Sequence, residues 1–202
     1  MTRKLAALVA TCACALFLVP ATANAGLLVS SATDCADQAL DHTFLRWADV
    51  ANYTLHPGGD FESRGAWSLS GGAAVVSGNE PFYAGSSKDS NSLSLPAGSR
   101  ATSGAICVGI EHPDIRFFAR AGDPLALLQV QVLFEDAAGN PQSAPIGVVT
   151  AGGSWAPTVP LPIVVNLLPL LPGQRTAVAF QFTATGGSFQ VDDVYVDPYR
   201  SA

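Results

Sequence analysis

The sequence contains little charge and few of the residues that enzymes use. Only 13% of its 202 residues are charged, three are histidines, and the net charge is −6. It has no G-x-S-x-G elbow, no H-E-x-x-H pair and no phosphate-binding glycine loop. Lysine and arginine form no cluster, which nucleic acids and anionic lipids would need. We therefore expect neither nucleic-acid binding nor catalytic residues.

The first 25 residues have the pattern of a secretion signal. Arg3 and Lys4 precede an apolar run ending at Val19, and A-N-A at residues 23–25 is typical of a cleavage site. The run is about fifteen residues long, which is too short for a relaxed membrane span. We expect a secreted, extracellular chain of residues 26–202 with no membrane span.

Cysteine is scarce, and only Cys35 and Cys107 lie outside the signal. In an oxidising compartment two cysteines in a small domain predict one disulfide. The alternative is a pair of buried free thiols.

Period-two alternation of apolar residues dominates the rest of the chain, with turns rich in glycine and proline between the alternating runs. The clearest runs are Leu128, Val130, Val132 and Phe134; Val178, Phe180 and Phe182; and Ile115, Phe117 and Ala119. Many short alternating strands predict an all-β antiparallel sandwich. Residues 58–202 form this domain. Residues 26–57 are expected to pack on it, either as a helix from Asp34 to Val50 or as an irregular segment.

Four short motifs resemble the jelly-roll carbohydrate-binding modules of the galactose-binding-like type. They are G-D-F-E at 59–62, S-G-G-A-A-V-V-S-G at 70–78, S-L-S-L at 92–95 and V-D-D-V at 191–194. Nearly the whole chain is also similar to secreted proteins of high-GC Gram-positive bacteria with no assigned activity. The resemblance implies a jelly roll whose first and last strands lie side by side.

The same resemblance implies a structural calcium between those two strands. Glu62 would supply one carboxylate, Gly59 or Asp60 a carbonyl, Asp192 or Asp193 a second carboxylate, and the loop at 85–91 another carbonyl. Calcium prefers six to eight such oxygens. The alternative is that these acids are solvated charges at strand ends.

The last strand contains a sign of irregularity. Phe189 and Val191 share one face, and so do Val194 and Val196, but the alternation slips by one residue between the two pairs. A β-bulge at residues 192–193 would return both pairs to the core and turn a carboxylate outward at the sheet edge.

One strand is a candidate ligand-binding surface. If Ile115 and Phe117 face the core, then Arg116, Phe118 and Arg120 share the opposite face, with Tyr83 and Trp155 in nearby loops as further ring surfaces. Sugar binding uses flat aromatic faces and planar hydrogen-bonding groups, and an arginine fork matches a carboxylate. The alternative is that Trp67 and Phe118 belong to a second layer of core.

We therefore expect a non-catalytic, monomeric module that binds cell-wall or environmental polysaccharide. A structural or protein-interacting protein of the cell envelope is the alternative, and the apolar residues 163–171 would then be an interface. A glycoside or ester hydrolase is the third reading, because the separation of a catalytic carboxylate pair depends on the fold.

Overall fold

The fold is described by a computed structural model for residues 38–63, 65–109, 113–136, 140–163 and 175–198. The signal and Cys35 lie outside these residues, and so does most of the apolar segment at 163–171. Its first residue, Ile163, is buried. No helix in the described ranges is long and apolar enough to cross a membrane.

Thirteen strands are found in the described ranges, together with one turn of 3-10 helix at Leu45–Trp47. The strands are β1 (Thr54–Leu55), β2 (Trp67–Ser70), β3 (Ala74–Ser77), β4 (Asn91–Leu95), β5 (Arg100–Ser103), β6 (Ile106–Val108), β7 (Asp114–Ala121), β8 (Leu127–Glu135), β9 (Pro141–Val149), β10 (Ala156–Pro157), β11 (Leu161–Pro162), β12 (Thr176–Thr185) and β13 (Phe189–Asp197).

The strands form two antiparallel sheets. The first has the order β10-β7-β13-β4-β3, with β1 beside β13 and β11 beside β7. The second has the order β2-β5-β12-β8-β9, with β6 beside β12. The chain passes repeatedly between the two sheets, as in a jelly roll: of the described strands, only β3–β4, β5–β6, β8–β9 and β10–β11 are consecutive strands of the same sheet. The predicted all-β antiparallel sandwich is therefore confirmed.

The main core lies between the sheets and is built from the alternating residues. The predicted runs on β7, β8 and β12 all belong to one buried cluster: Ile115, Phe117 and Ala119; Leu128, Val130, Val132 and Phe134; Val178, Phe180 and Phe182. Alternation succeeds as a predictor here because each strand has one face on this core.

The last strand contains the predicted β-bulge. The register between β13 and β7 shifts between Asp192 and Tyr195, and Asp193 takes a left-handed backbone conformation with φ of 46°. Phe189, Val191, Val194 and Val196 all return to the core. The predicted position of the aspartates was wrong, because β13 lies between β7 and β4 and both carboxylates are buried.

The N-terminal segment is irregular in its described part, as one of the two alternatives expected. Residues 38–50 form no α-helix; after the 3-10 turn Ala48 adopts φ of 60°. Asp41 and Tyr53 exchange two backbone hydrogen bonds of 2.9 and 2.8 Å, so these groups are paired across the segment rather than along a helix.

This segment covers part of the outer face of the first sheet. Phe44, Tyr53, Phe118 and Tyr195 form a second buried group, the aromatic cluster, with Trp47 and Phe82 packed against it. The first sheet therefore has apolar packing on both faces over part of its length.

Candidate ligand and metal sites

The two motifs that the resemblance paired lie side by side. Gly59 O accepts a hydrogen bond of 3.0 Å from Val194 N, and His56 N donates one of 2.8 Å to Val194 O. A side chain at residue 59 would overlap Val194 O, because a Cβ there would come within 2.6 Å of it. Glycine at this position thus allows the G-D-F-E stretch to approach the strand that carries Asp192 and Asp193.

Glu62 is engaged with the loop before β4. Its carboxylate accepts hydrogen bonds from the backbone N–H groups of Ser90 and Asn91 at 2.6 and 2.7 Å, and from the side chains of both residues. Burial would raise the pKa of Glu62, but these hydrogen bonds outweigh it and hold the pKa below its ordinary value. Glu62 therefore anchors the loop in its charged form. Asp60 Oδ1 accepts a hydrogen bond from Glu62 N at 3.3 Å.

Three carboxylates are buried where the 80–91 loop meets β13. Glu80, Asp192 and Asp193 have no exposed surface. Asp192 accepts from Glu80 N at 2.9 Å, Asp193 Oδ2 accepts from Gly85 N at 2.9 Å, and Glu80 accepts from the backbone N–H groups of residues 82 and 84. The other oxygen of Asp193, Oδ1, is buried and accepts no hydrogen bond from an N–H or hydroxyl group of the described residues, while the Glu80 carboxylate lies within hydrogen-bonding reach of the Asp193 carboxylate.

Oxygens of two acids converge at Gly85. The position that a Cβ of this residue would occupy lies 2.7 Å from Asp193 Oδ1 and 2.9 Å from Asp89 Oδ2. The Asp89 carboxylate is only partly buried and belongs to the loop. We call Glu80, Asp89, Asp192 and Asp193 the carboxylate pocket.

Burial, and to a smaller extent the crowding of acids, raises pKa values in this pocket. Burial raises the pKa of Asp192 to about 8 and that of Asp193 to about 7, with the charge of Glu80 adding to both. Burial also raises the pKa of Asp89, helped by the charges of Asp60 and Glu62. The pocket favours either protons or a cation.

The predicted metal residues thus lie around one loop but do not all touch. No group of three or more acids, histidines or cysteines in the described ranges already has the arrangement of a metal site. Glu80 and Asp89 were missed by the sequence analysis because they lie in a loop without periodicity. The only available signal was two acids in a glycine- and serine-rich turn between β3 and β4.

The expected exposure of Arg116 and Phe118 was wrong, and the alternative of a second layer of core holds for Phe118. Both point to the outer face as alternation predicted, but Phe118 is fully buried in the aromatic cluster. Arg116 Nε donates to Thr158 O at 2.6 Å, and Nη1 donates to the carboxylate of Asp49 at 2.5 Å. The N-terminal segment supplies Asp49 and Phe44, and the stretch between β10 and β11 supplies Thr158, which alternation within β7 could not reveal.

The Arg120 end of the same face remains open. Arg120 Nε donates to Gln190 Oε1 at 2.5 Å, and the guanidinium carbon lies 5.2 Å from the centre of the Trp155 ring. Arg120 pairs with Gln190 across β7 and β13, and Gln190 pairs with Ser94 across β13 and β4. A polar row therefore crosses three neighbouring strands.

This row lines a cleft of about 390 Å³, which we call the Arg120 cleft. Its lining comprises Ser94, Arg120, Ala121, Gly122, Gly153, Ser188, Phe189 and Gln190. The structure thus brings Arg120 and Trp155 together. Trp155 lies beside the cleft rather than in its lining, and Tyr83, which is exposed on the 80–91 loop, does not line the cleft either.

Comparisons with known proteins give structural likeness only. No protein-family model and no curated protein sequence matches the chain. The CBM22-1 xylan-binding domain of Xyn10C from Paenibacillus barcinonensis is 14% identical; the alignment covers 83% of this chain and all of that domain, with a TM-score of 0.49.

Two further structures are much longer than this chain. The CBM22-1–GH10 modules of Clostridium thermocellum xylanase 10B are 12% identical over 68% of this chain, with a TM-score of 0.48. The tailspike protein 4 domain of bacteriophage CBA120 is 21% identical over 68%, with a TM-score of 0.45. The chain spans 26% and 20% of these two structures. Likeness at this level does not identify a ligand.

Proposed function

We propose that this chain is a secreted, non-catalytic module that binds carbohydrate at the Arg120 cleft. One observation carries the proposal: an open cleft on a sheet face is lined by the planar polar groups of Arg120 and Gln190, and the half-buried Trp155 ring lies beside it against the Arg120 guanidinium. Sugar rings pack on flat aromatic faces while their hydroxyl groups bond to such planar groups. The volume of about 390 Å³ is within the range of small-ligand sites.

The rigidity of the sheet favours binding without large rearrangement. Arg120 and Gln190 lie on neighbouring central strands, and the Nε–Oε1 hydrogen bond fixes both side chains. Ordering these side chains on binding then costs little entropy. The carbohydrate in question is a cell-wall or environmental polysaccharide.

The proposal is tested by affinity electrophoresis in gels that contain neutral or acidic polysaccharides. We expect at least one polymer to retard the protein, and Trp155→Ala to abolish the retardation. Tyr83→Ala is the matched control, because it removes an exposed ring on the 80–91 loop, whereas Trp155 is the ring against Arg120, and it should keep the retardation. A protein that no polysaccharide retards would contradict the proposal and favour an envelope interaction role.

We also propose that a structural calcium binds in the carboxylate pocket. The unpaired buried Oδ1 of Asp193 and its convergence with Asp89 Oδ2 at Gly85 support this, because calcium is held by oxygens and neutralises acids that burial penalises. Asp193, Asp89 and Glu80 would hold the ion. Calcium would tie that loop to β13. Glu62 would support the loop through its bonds to Ser90 and Asn91.

A further inference from the structure

Arg116 shows how this face of the sheet holds a carboxylate. Three contacts fix its guanidinium: Nε donates to Thr158 O, Nη1 donates to the carboxylate of Asp49 at 2.5 Å, and the guanidinium carbon lies 4.4 Å from the centre of the Phe44 ring. An aromatic face, a fixed Nε and a bound carboxylate thus occur together, with the carboxylate supplied by the chain itself.

Arg120 repeats two of these three contacts. It lies four residues along the same strand and on the same face, its Nε donates to Gln190 Oε1, and its guanidinium carbon lies over the Trp155 ring at 5.2 Å. Within the described ranges no carboxylate forms an ion pair with it. The two arginines therefore differ in the third contact, the carboxylate paired with the guanidinium.

The charge of the cleft agrees with that difference. Among the residues that line the Arg120 cleft, Arg120 is the only charged one. The closest acid along the chain is Asp123, whose Oδ2 accepts a long bond of 3.4 Å from Ser188 N and which does not line the cleft. In a chain of net charge −6, a cleft whose one charge is positive is suited to an anionic ligand group.

We propose that the ligand of the Arg120 cleft is an acidic polysaccharide, whose uronate carboxylate pairs with the guanidinium of Arg120 as Asp49 pairs with Arg116. The sugar ring that carries this carboxylate lies against Trp155, and its hydroxyl groups reach Gln190 and Ser94. Arginine suits this role because its fixed fork matches the two oxygens of a carboxylate, and its flat face still packs on a ring. This inference rests on the proposed carbohydrate-binding function and names the class of carbohydrate.

The test compares polygalacturonate with its carboxyl-reduced product, which keeps the sugar skeleton and loses the charge. Dextran sulfate is the third probe, since sulfate offers a different anion. We expect the wild type to bind polygalacturonate at least about tenfold more tightly than the reduced polymer, because charge-assisted hydrogen bonds are roughly twice as strong as neutral ones. The preference should weaken as salt is added.

Arg120→Gln separates the charge from the rest of the cleft. It should lower affinity for polygalacturonate by about tenfold or more and leave that for the reduced polymer nearly unchanged. Arg46→Gln is the matched control: Arg46 also lies over aromatic rings, at 4.7 Å from Trp47, but on an exposed surface outside the cleft. Arg46→Gln should keep the preference for polygalacturonate over the reduced polymer.

The outcomes distinguish the two proposals. If the wild type binds the reduced polymer as tightly as the acid, or Arg120→Gln keeps the preference, the acidic ligand is refuted while carbohydrate binding stands. Tighter binding of dextran sulfate than of polygalacturonate would also refute the proposal that Arg120 pairs with a carboxylate. If none of the three polymers binds but a neutral glycan does in a Trp155-dependent way, only the acidic ligand is refuted. If no glycan binds, carbohydrate binding and the acidic ligand are both refuted.

Discussion

Phe44 stacks on Phe118, with ring centroids 5.5 Å apart and planes inclined by 26°. Both side chains are fully buried, although one belongs to the N-terminal segment and the other to a central strand. We predict that Phe44→Ala lowers the free energy of unfolding by about 3–5 kcal/mol, because it removes a buried ring and leaves a cavity beside Phe118. Denaturant unfolding measures this change.

Leu45→Ala is the control for that prediction. Leu45 is the next residue and is 55% exposed, so its truncation should change the free energy of unfolding by no more than about 0.5 kcal/mol. Equal effects of the two substitutions would mean that the segment does not pack on the sheet as described.

The stacking of Phe44 on Phe118 also marks the limit of the sequence analysis. Alternation places Phe118 and Arg116 on the face opposite the core, because the direction of a side chain depends only on its position in the strand. Whether that face is open depends on where residues 41–55 fold, which is a long-range contact without a local signal. The bulge at Asp193 was predictable because the slip in alternation is local.

The carboxylate pocket shows the same division. The aspartates of the last strand stood out in the sequence because they interrupt a run of strand-forming residues. Glu80 and Asp89 lie in a loop where acids are ordinary, and only the fold brings them under β13. Glu80 is fully buried there and Asp89 partly buried, which the sequence pattern of a loop does not encode.

We predict that His56 makes the protein less stable as pH falls from about 6.5 to 4. His56 is fully buried, with Nδ1 and Nε2 at 3.0 and 3.2 Å from the carbonyl oxygens of Pro57 and Gly104. Burial lowers its pKa to about 4 despite these carbonyls. Below pH 6.5 the unfolded chain takes up a proton at His56 that the folded chain does not. The free energy of unfolding is therefore lower at pH 4 than above pH 6.5, by up to about 3 kcal/mol.

The measurement is the free energy of unfolding between pH 4 and 7. His56→Gln should flatten the slope relative to the wild type, since an amide can still donate to Gly104 O and does not titrate. The carboxylates titrate alike in both proteins, so the difference in slope isolates His56. His42→Gln, at an exposed position, should keep the slope of the wild type. Identical slopes for the wild type and His56→Gln would refute the prediction.

We predict that Cys35 and Cys107 form a disulfide. Cys107 lies on β6, and its carbonyl oxygen accepts a hydrogen bond of 3.2 Å from Gln38 Nε2, which brings the chain three residues beyond Cys35 to this strand. A bridge would close a segment of 72 residues and stabilise the fold by about 4 kcal/mol on the chain-entropy model. Thiol titration of the unfolded, unreduced protein should detect no free thiol.

Reduction provides the second measurement for the disulfide. The midpoint of denaturant unfolding should fall when reductant is added, and the double variant Cys35→Ser, Cys107→Ser should be insensitive to reductant. Two reactive thiols per mature chain in the unreduced protein would show that the cysteines are unpaired.

Calcium binding in the carboxylate pocket makes stability depend on a chelator. The acids there repel one another, and a cation would offset both that repulsion and the cost of burial. At a calcium concentration about a hundredfold above the dissociation constant, binding adds about 2.7 kcal/mol to the free energy of unfolding. We therefore predict a lower melting temperature in a chelator than in calcium at neutral pH.

Three variants identify the residues involved. Asp193→Asn should abolish the response to calcium, because it removes the charge of the carboxylate whose Oδ1 is unpaired. Glu62→Gln should weaken the response without abolishing it, since Glu62 holds the 85–91 loop through Ser90 and Asn91. Asp136→Asn, in the β8–β9 turn, is the control and should respond as the wild type does. A wild type that melts at the same temperature in calcium and in chelator has no such site, and its buried carboxylates must then be held by protons.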